Sequence, residues 1–133
     1  MKYWLTILSC AVLFFVACKN SSNEYIAAEN GLDAGREFIT SCNQGDFNKA
    51  GFYMVSDPSN IGLLADAEKN YRALDKEGRQ ILRQASINIK SVTEPTDSTV
   101  LLTYGISGDT ATKNLWMIKQ KGNWLVDFKK SFK

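Results

Sequence analysis

The 133-residue sequence contains no histidine, only two prolines and only three cysteines. The commonest general base and the commonest metal ligand are therefore both missing. Neither an acidic loop of the calcium-binding type nor a glycine-rich phosphate loop is present. The net charge of +2 comes from scattered lysines and arginines, which argues against nucleic-acid binding. We expect one globular domain with no metal, no cofactor and no nucleic-acid partner.

One long apolar run stands at the amino terminus. Lys2 is its only charge, and from Tyr3 to Ala17 only Thr6 and Ser9 are not apolar. The run is shorter than the roughly 20 residues that a transmembrane helix needs. A positive start followed by an apolar run of this length is typical of a secretory signal peptide, which we assign to residues 1–17.

The signal peptide ends in a sequence that resembles the lipobox of bacterial lipoproteins, Phe15-Val16-Ala17-Cys18. In such proteins the cysteine after the cleavage site receives the lipid, because its thiolate is a strong nucleophile. Phe15 departs from the usual leucine, and an uncleaved anchor with a chance cysteine is the alternative. We expect lipidation of Cys18, a membrane partner through that anchor, and a tether over residues 18–29 before a domain at residues 30–133.

Cysteine usage in the processed chain follows from this assignment. Cys10 is removed with the signal peptide and Cys18 carries the lipid, which leaves Cys42 alone. No intramolecular disulfide is then possible, even in an oxidising compartment. We interpret Cys42 as a small core residue rather than a reactive thiol.

Helical periodicity dominates the first half of the domain. Residues that typically start or stop helices predict the limits of four helices. Asn30 and Asp33 mark the start of the first helix and Gly45 its end, and the second starts at Asp46 and ends at Pro58. The third helix starts at Ser59 or Asn60, and the fourth starts at Asp75. Apolar residues of the first helix, Ala34, Phe38, Ile39 and Cys42, share one face.

After Ser86 the period changes to two, which indicates four strands. Ile87 and Ile89 begin the first strand, Val100–Ile106 is the second, residues 111–120 the third and residues 123–132 the fourth. Short turns join the strands, so neighbours must be antiparallel. The predicted fold class is α+β, with helices packed on a curved four-stranded antiparallel meander.

The last hairpin sets which strand faces are buried. We expect Trp124, Val126 and Phe128 to share the core face with Trp116 and Ile118. This pairing requires a three-residue loop through Lys121 and Gly122 with a glycine bulge. A two-residue loop would place Trp116 and Ile118 on the opposite face. With the bulged loop, Leu115, Met117 and Leu125 lie on the outer face.

Four stretches of the chain carry a family resemblance: Gly35-Arg36-Glu37-Phe38-Ile39, Gly45-Asp46-Phe47-Asn48-Lys49-Ala50, Tyr53-Met54 and Trp124-Leu125-Val126-Asp127. They resemble small lipoproteins of unknown function from Bacteroidetes-type bacteria with a nuclear-transport-factor-2-like (cystatin-like) domain. The resemblance covers residues 31–133 and implies helices held in the hollow of a curved sheet. Surface-exported lipoproteins of such bacteria often carry acidic residues just after the cysteine. Lys19–Asn23 has none, so we expect an outer-membrane anchor with the domain facing the periplasm.

Two functions fit such a domain. A binding module would hold a small apolar ligand between helices and sheet, in a pocket lined by Tyr53, Tyr71, Tyr104, Trp116 and Trp124. An interaction domain would pair as a homodimer through apolar residues of the outer sheet face, Leu115, Met117 and Leu125.

A catalytic alternative follows from the resemblance. Ketosteroid isomerase, an enzyme of the superfamily, uses an aspartate base and a tyrosine in an apolar cone. Asp57 with Tyr53, Tyr71 or Tyr104 would supply these types, for an isomerase or hydrolase. The aspartate would need a raised pKa to act near neutrality. Asp57 precedes Pro58 in a turn, where aspartate is ordinary, so we expect a non-catalytic domain.

Overall fold

The computed structural model describes residues 24–132. The predicted signal peptide and Cys18 lie outside these residues. Within them, no helix is long and apolar enough to cross a membrane.

Four helices precede four strands along the described chain. The helices are α1 (Gly31–Gln44), α2 (Phe47–Phe52), α3 (Pro58–Ala73) and α4 (Lys76–Gln84). The strands are β1 (Ile87–Thr96), β2 (Thr99–Ile106), β3 (Lys113–Gln120) and β4 (Asn123–Val126), and a 3-10 helix spans Phe128–Phe132. The sheet order β1-β2-β3-β4 is an antiparallel meander. The predicted α+β fold class and the helices-then-strands order are confirmed.

Each helix begins with a side chain that accepts a hydrogen bond from a backbone N–H of the first turn. Asn30, Asp46 and Asp75 cap α1, α2 and α4, as predicted. The third start was predicted wrongly. Asp57 caps α3, and Pro58 is the first helical residue rather than the end of α2. Proline suits that position because its fixed φ is helical and the N–H it lacks would have no partner there.

The core lies between α1 and one face of the sheet. Residues directly opposite on paired strands share a face. Leu102 pairs with Leu115, and Met117 pairs with both Val100 and Val126. All five side chains are at most 3% exposed. Helix α1 approaches the sheet closely at Gly31, where an added Cβ would lie 2.5 Å from Val100 Cγ2.

The last hairpin differs from the prediction. Gln120 pairs with Asn123, so the loop has two residues, Lys121 and Gly122, with φ of 51° and 82°. Positive φ at both positions is typical of a type I′ turn, whose twist matches the flanking strands. The predicted bulged loop is therefore wrong. As a result, Trp116 and Ile118 lie on the outer face of the sheet.

The chain also leaves the sheet earlier than predicted. Strand β4 ends at Val126 instead of continuing to Phe132. The Asp127 N–H donates to the Trp116 carbonyl at 2.8 Å, and the 3-10 helix follows. This turn carries Phe128 back to the middle of α1, where its ring meets Phe38 with centroids 5.1 Å apart.

Candidate functional site

An apolar cavity of about 480 Å³ lies where α1, α3, β2, β3 and the 3-10 helix meet. Its volume lies within the range of small-molecule sites. The inner wall combines aromatic, aliphatic and thiol groups, chiefly Phe38, Cys42, Ala67, Tyr104, Phe128 and Phe132, and the rest of the lining includes the polar residues Asn43, Thr112, Lys113, Asn114 and Ser131. This arrangement favours a mostly apolar occupant.

Tyr104 supplies a hydroxyl group to this wall. The residue is only 8% exposed, and its hydroxyl makes no hydrogen bond within residues 24–132 but stays accessible from the open side of the cavity. Burial raises the pKa of Tyr104 to about 12, and burial also raises the pKa of the neighbouring Cys42 thiol to about 12. Both groups are neutral near pH 7. They can exchange hydrogen bonds with a ligand but provide no buried charge, and Cys42 is too weakly ionised to act as a nucleophile.

Of the five residues predicted to line one pocket, only Tyr104 lines this cavity. Tyr53 is buried beneath the amino-terminal segment, where its hydroxyl donates to the Ile26 carbonyl at 2.6 Å. Tyr71 lies beside α4, and its hydroxyl accepts from Arg83 at 3.1 Å. Trp116 is on the outer face, with Lys130 Nζ 4.1 Å from its ring centroid. The predicted pocket is thus dispersed over the domain.

The fifth residue, Trp124, lies on the core face next to α1. Its ring carbon Cε3 is 3.2 Å from where a Cβ on Gly31 would stand. The side chain fills space at the opposite end of α1 from the cavity. Its predicted face is correct, and together with Tyr53 it lines a separate, smaller cavity of about 100 Å³.

Sequence reasoning missed Phe128 and Phe132 as site residues, because they were placed in a continuous fourth strand. It also counted Phe38 and Cys42 as core only. Their shared face on α1 was visible in the sequence, and the same periodicity predicts both a filled core and a cavity wall. The position of the 3-10 helix decides whether this face of α1 packs in the core or lines a cavity, and no local sequence pattern predicts that position.

Asp57, the candidate base of the catalytic alternative, has a structural role. Its carboxylate accepts from the Asn60 N–H at 3.0 Å and from Lys129 Nζ at 2.6 Å. The hydrogen bond to Lys129 is the main reason that the pKa of Asp57 is lowered. A base working near neutrality needs the opposite shift. The stability that Asp57 supplies is present at neutral pH and is lost as the pH falls below about 4.

Asn60 lies at the centre of this group and is fully buried. Its Nδ2 donates to Asp57 Oδ2 at 3.0 Å and to Asp127 Oδ1 at 3.4 Å, and its Oδ1 accepts from the Lys129 N–H at 2.7 Å. We call Asp57, Asn60, Asp127 and Lys129 the Asn60 cluster. It joins the start of α3 to the 3-10 helix and so holds one wall of the cavity in place.

No protein-family model and no curated protein matches this chain. A solved structure does resemble it: the crystal structure of an NTF-2-like protein of unknown function from Shewanella oneidensis MR-1 superimposes with a TM-score of 0.54. The two chains are 15% identical, and the match covers 73% of this chain and 91% of the other. The fold is NTF-2-like. At this identity the likeness shows the architecture, and the NTF-2-like domain must be assigned a function from its own residues.

The outer face of the NTF-2-like sheet carries different residues from those predicted. Leu115 and Met117, predicted to be outside, are 1% and 0% exposed in the core. The two-residue hairpin loop reverses the parity of β3 relative to β4, which explains the error. Leu125 does lie outside, opposite Ile118, and Leu101 lies opposite Trp116. These four half-buried residues, Leu101, Trp116, Ile118 and Leu125, form what we call the outer patch.

The charged groups of the domain offer no metal site. Among residues 24–132 no group of three or more histidine, cysteine, aspartate or glutamate side chains is placed to hold an ion.

Proposed function

We propose that this chain is a periplasmic lipoprotein, anchored to the outer membrane through Cys18, whose NTF-2-like domain binds a small, uncharged, mostly apolar molecule. The observation that supports binding is the cavity of about 480 Å³ with the free Tyr104 hydroxyl in its wall. An apolar ligand would gain from burial against Phe38 and Phe128, and the hydroxyl would orient one polar group of it. A charged group would find no free counter-ion inside, because Lys113, the charged residue of the lining, is already paired with Asp109 at 2.9 Å.

Filling the cavity tests the binding proposal. Ala67 of α3 lines the cavity, so Ala67→Trp should occupy much of its volume. We expect the affinity for N-phenyl-1-naphthylamine, an uncharged apolar dye that fluoresces when buried, to fall at least tenfold. Ala65→Trp, on the exposed side of the same helix, is the matched control and should bind the dye like the unchanged domain. Equal dye binding in both variants would contradict the proposal.

The anchor is tested separately in cells. Cys18→Ala removes the nucleophile that forms the thioether to the lipid, so incorporation of radiolabelled palmitate should disappear and the unprocessed precursor should accumulate. Cys42→Ala is the control, because it removes a thiol that lies within the domain. Normal labelling of the Cys18 variant would disprove lipidation at this residue.

The outer patch supports a second candidate function, a homodimer through the sheet. The four residues of the outer patch are adjacent on β2, β3 and β4. A sheet face exposed to solvent usually carries polar residues at such positions. Lys130 covers part of the Trp116 ring, and the apolar surface that remains half-exposed around it is contiguous, as at many interfaces. The patch would then be covered by the same patch of a second copy, as twofold symmetry requires.

Sedimentation of the domain at tens of micromolar tests the dimer. Leu125→Glu places a charge in the outer patch and should convert a dimer to a monomer. Ile89→Glu is the matched control: Ile89 is 43% exposed, but it pairs with Tyr104 and so lies on the other face of the sheet. If the unchanged domain is already a monomer, the dimer proposal is wrong.

A further inference from the structure

Three arginines converge at the elbow between α3 and α4, on a part of the domain that the proposed function does not use. Arg72 lies near the end of α3, and Arg79 and Arg83 are one turn apart on α4. With the rings of Phe47 and Tyr71 they line an open groove of about 330 Å³. We call this the elbow groove.

The groove is held by packing on its inner side. The Tyr71 ring meets Phe47 edge to face with centroids 5.7 Å apart, and it packs over Gly45 at the end of α1. A Cβ on Gly45 would lie 2.5 Å from the Tyr71 ring, and the φ of Gly45 is 78°, so only glycine fits there without strain. Tyr71 is thereby fixed, and its hydroxyl accepts from Arg83 Nη1 at 3.1 Å.

Arg79 is positioned by backbone. Its Nη1 donates to the Leu74 carbonyl at 2.9 Å and to the Arg72 carbonyl at 3.4 Å, at the carboxyl end of α3. A guanidinium has five N–H donors in a planar fork. Only one nitrogen of Arg79 and one of Arg83 is engaged by the residues that the structure describes. The remaining donors of both side chains are available to a ligand.

The charge at the elbow groove is unbalanced. Glu68 pairs with Arg72 at 2.5 Å. Asp75 is engaged in capping α4, where it accepts from the Gly78 N–H at 2.7 Å, and Glu77 lines a different groove on α4. Within residues 24–132, Arg79 and Arg83 have no ion-pair partner. Two guanidinium groups that line one groove, each held by a hydrogen bond and neither paired with a carboxylate, can bind a phosphate group.

We propose that the elbow groove is a phosphate-binding site, in which Arg79 and Arg83 bind the phosphate oxygens and the Phe47 and Tyr71 rings contact the apolar part of the ligand. The phosphate group could come from a soluble phosphorylated molecule or from a phospholipid headgroup. Both sources present the same oxygens to the two guanidinium groups. The site lies outside the cavity and its function is independent of cavity binding.

The test measures phosphate binding by calorimetry with the full chain in an uncharged detergent. Two probes are used, inorganic phosphate and dihexanoyl phosphatidic acid. Arg79→Gln/Arg83→Gln should weaken binding of the preferred probe at least tenfold. Lys69→Gln/Lys76→Gln removes the same charge from exposed positions on the same two helices, outside the groove, and should change affinity less than twofold. Because Arg79 also caps α3, Arg83→Gln alone is measured too, and it should weaken binding at least threefold.

Each outcome is decisive. Stronger binding of inorganic phosphate supports a site for soluble phosphates, and stronger binding of phosphatidic acid supports a headgroup site. Equal losses in the arginine and lysine variants would show a diffuse charge effect and overturn the proposal. The absence of binding of either probe at 10 mM, a concentration on the order of a weak anion site's dissociation constant, would also overturn it. A melting temperature for each variant identifies any loss that comes from unfolding.

Discussion

Replacing Leu102 with alanine should lower the free energy of unfolding of the domain by about 2–5 kcal/mol, measured by urea denaturation of the chain from Glu24 onward. Leu102 is 0% exposed and lies opposite Leu115, in the middle of the core face. Truncation removes its buried methyl groups and leaves a cavity that the surrounding β strands and α1 cannot collapse to fill. A slope of the urea dependence equal to that of the unchanged domain would show that only stability has changed.

Leu101→Ala is the matched control, since the same chemical change is made one residue away on the outer patch. Leu101 is half-buried, and the expected loss is about 1 kcal/mol or less. The comparison tests the assignment of the two sheet faces directly. If Leu101→Ala were the more destabilising substitution, the register of the sheet would be wrong.

Replacing Asn60 with alanine should destabilise the domain by about 2–4 kcal/mol, although the residue is polar and contributes no apolar area. The change removes the acceptor of the Lys129 N–H and the amide donor of Asp127. Each buried group left without a partner costs about 1–3 kcal/mol. Urea denaturation again gives the free energy, and dye binding should weaken with it, because the 3-10 helix that carries Phe128 is released from α3.

Asn70→Ala, on the exposed surface of the same helix, is the control and should leave stability unchanged or slightly raised. Asn60→Asp supplies a second readout. It keeps the acceptor for Lys129 but adds a buried carboxyl group beside Asp57 and Asp127, so protonation of that group favours the folded state. This variant should therefore lose more stability at pH 7 than at pH 4.5. A loss independent of pH would show that Asn60 acts only by filling space.

The helices were predictable because their starting signals are local. Asn30, Asp46 and Asp75 each satisfy a backbone N–H within three residues, and Gly45 supplies the left-handed residue that ends α1. The error at Pro58 has the same origin: proline both ends and begins helices, and only the following periodicity separates the two roles. Asp57, which precedes this proline, caps α3 although aspartate before proline is equally typical of a turn.

The buried and outer faces of the sheet are harder to predict than the helices. One residue more or less in a hairpin loop moves every side chain of one strand to the opposite face relative to the other strand. The prediction chose the loop that buried Trp116. The structure instead places Trp116 outside, beneath the Lys130 ammonium, and buries Leu115 and Met117. The lysine ammonium gives the tryptophan ring a favourable cation–π contact, so the ring can be stabilised outside the core. That contact joins residues 14 positions apart through a turn with no sequence signal.

The candidate site was the least predictable part. Tyr104 was identified because it lies on a regular strand, whereas Phe128 and Phe132 reach the cavity only because β4 ends at Val126. Termination of β4 coincides with the Asn60 cluster, in which contacts span 67 to 72 residues. Such contacts are decided by the tertiary structure and leave no periodic trace along the chain.

The hydrogen bond from the Tyr53 hydroxyl to the Ile26 carbonyl holds the amino-terminal segment against the domain before α1 begins. If Cys18 carries the lipid, as we propose, Ile26 is held against the domain only eight residues after the anchor. Eight residues span at most about 30 Å when fully extended. A domain joined to its anchor by so short a connection would stay in the layer of solvent next to the membrane. Under the proposed function, the ligand would meet the domain within that layer.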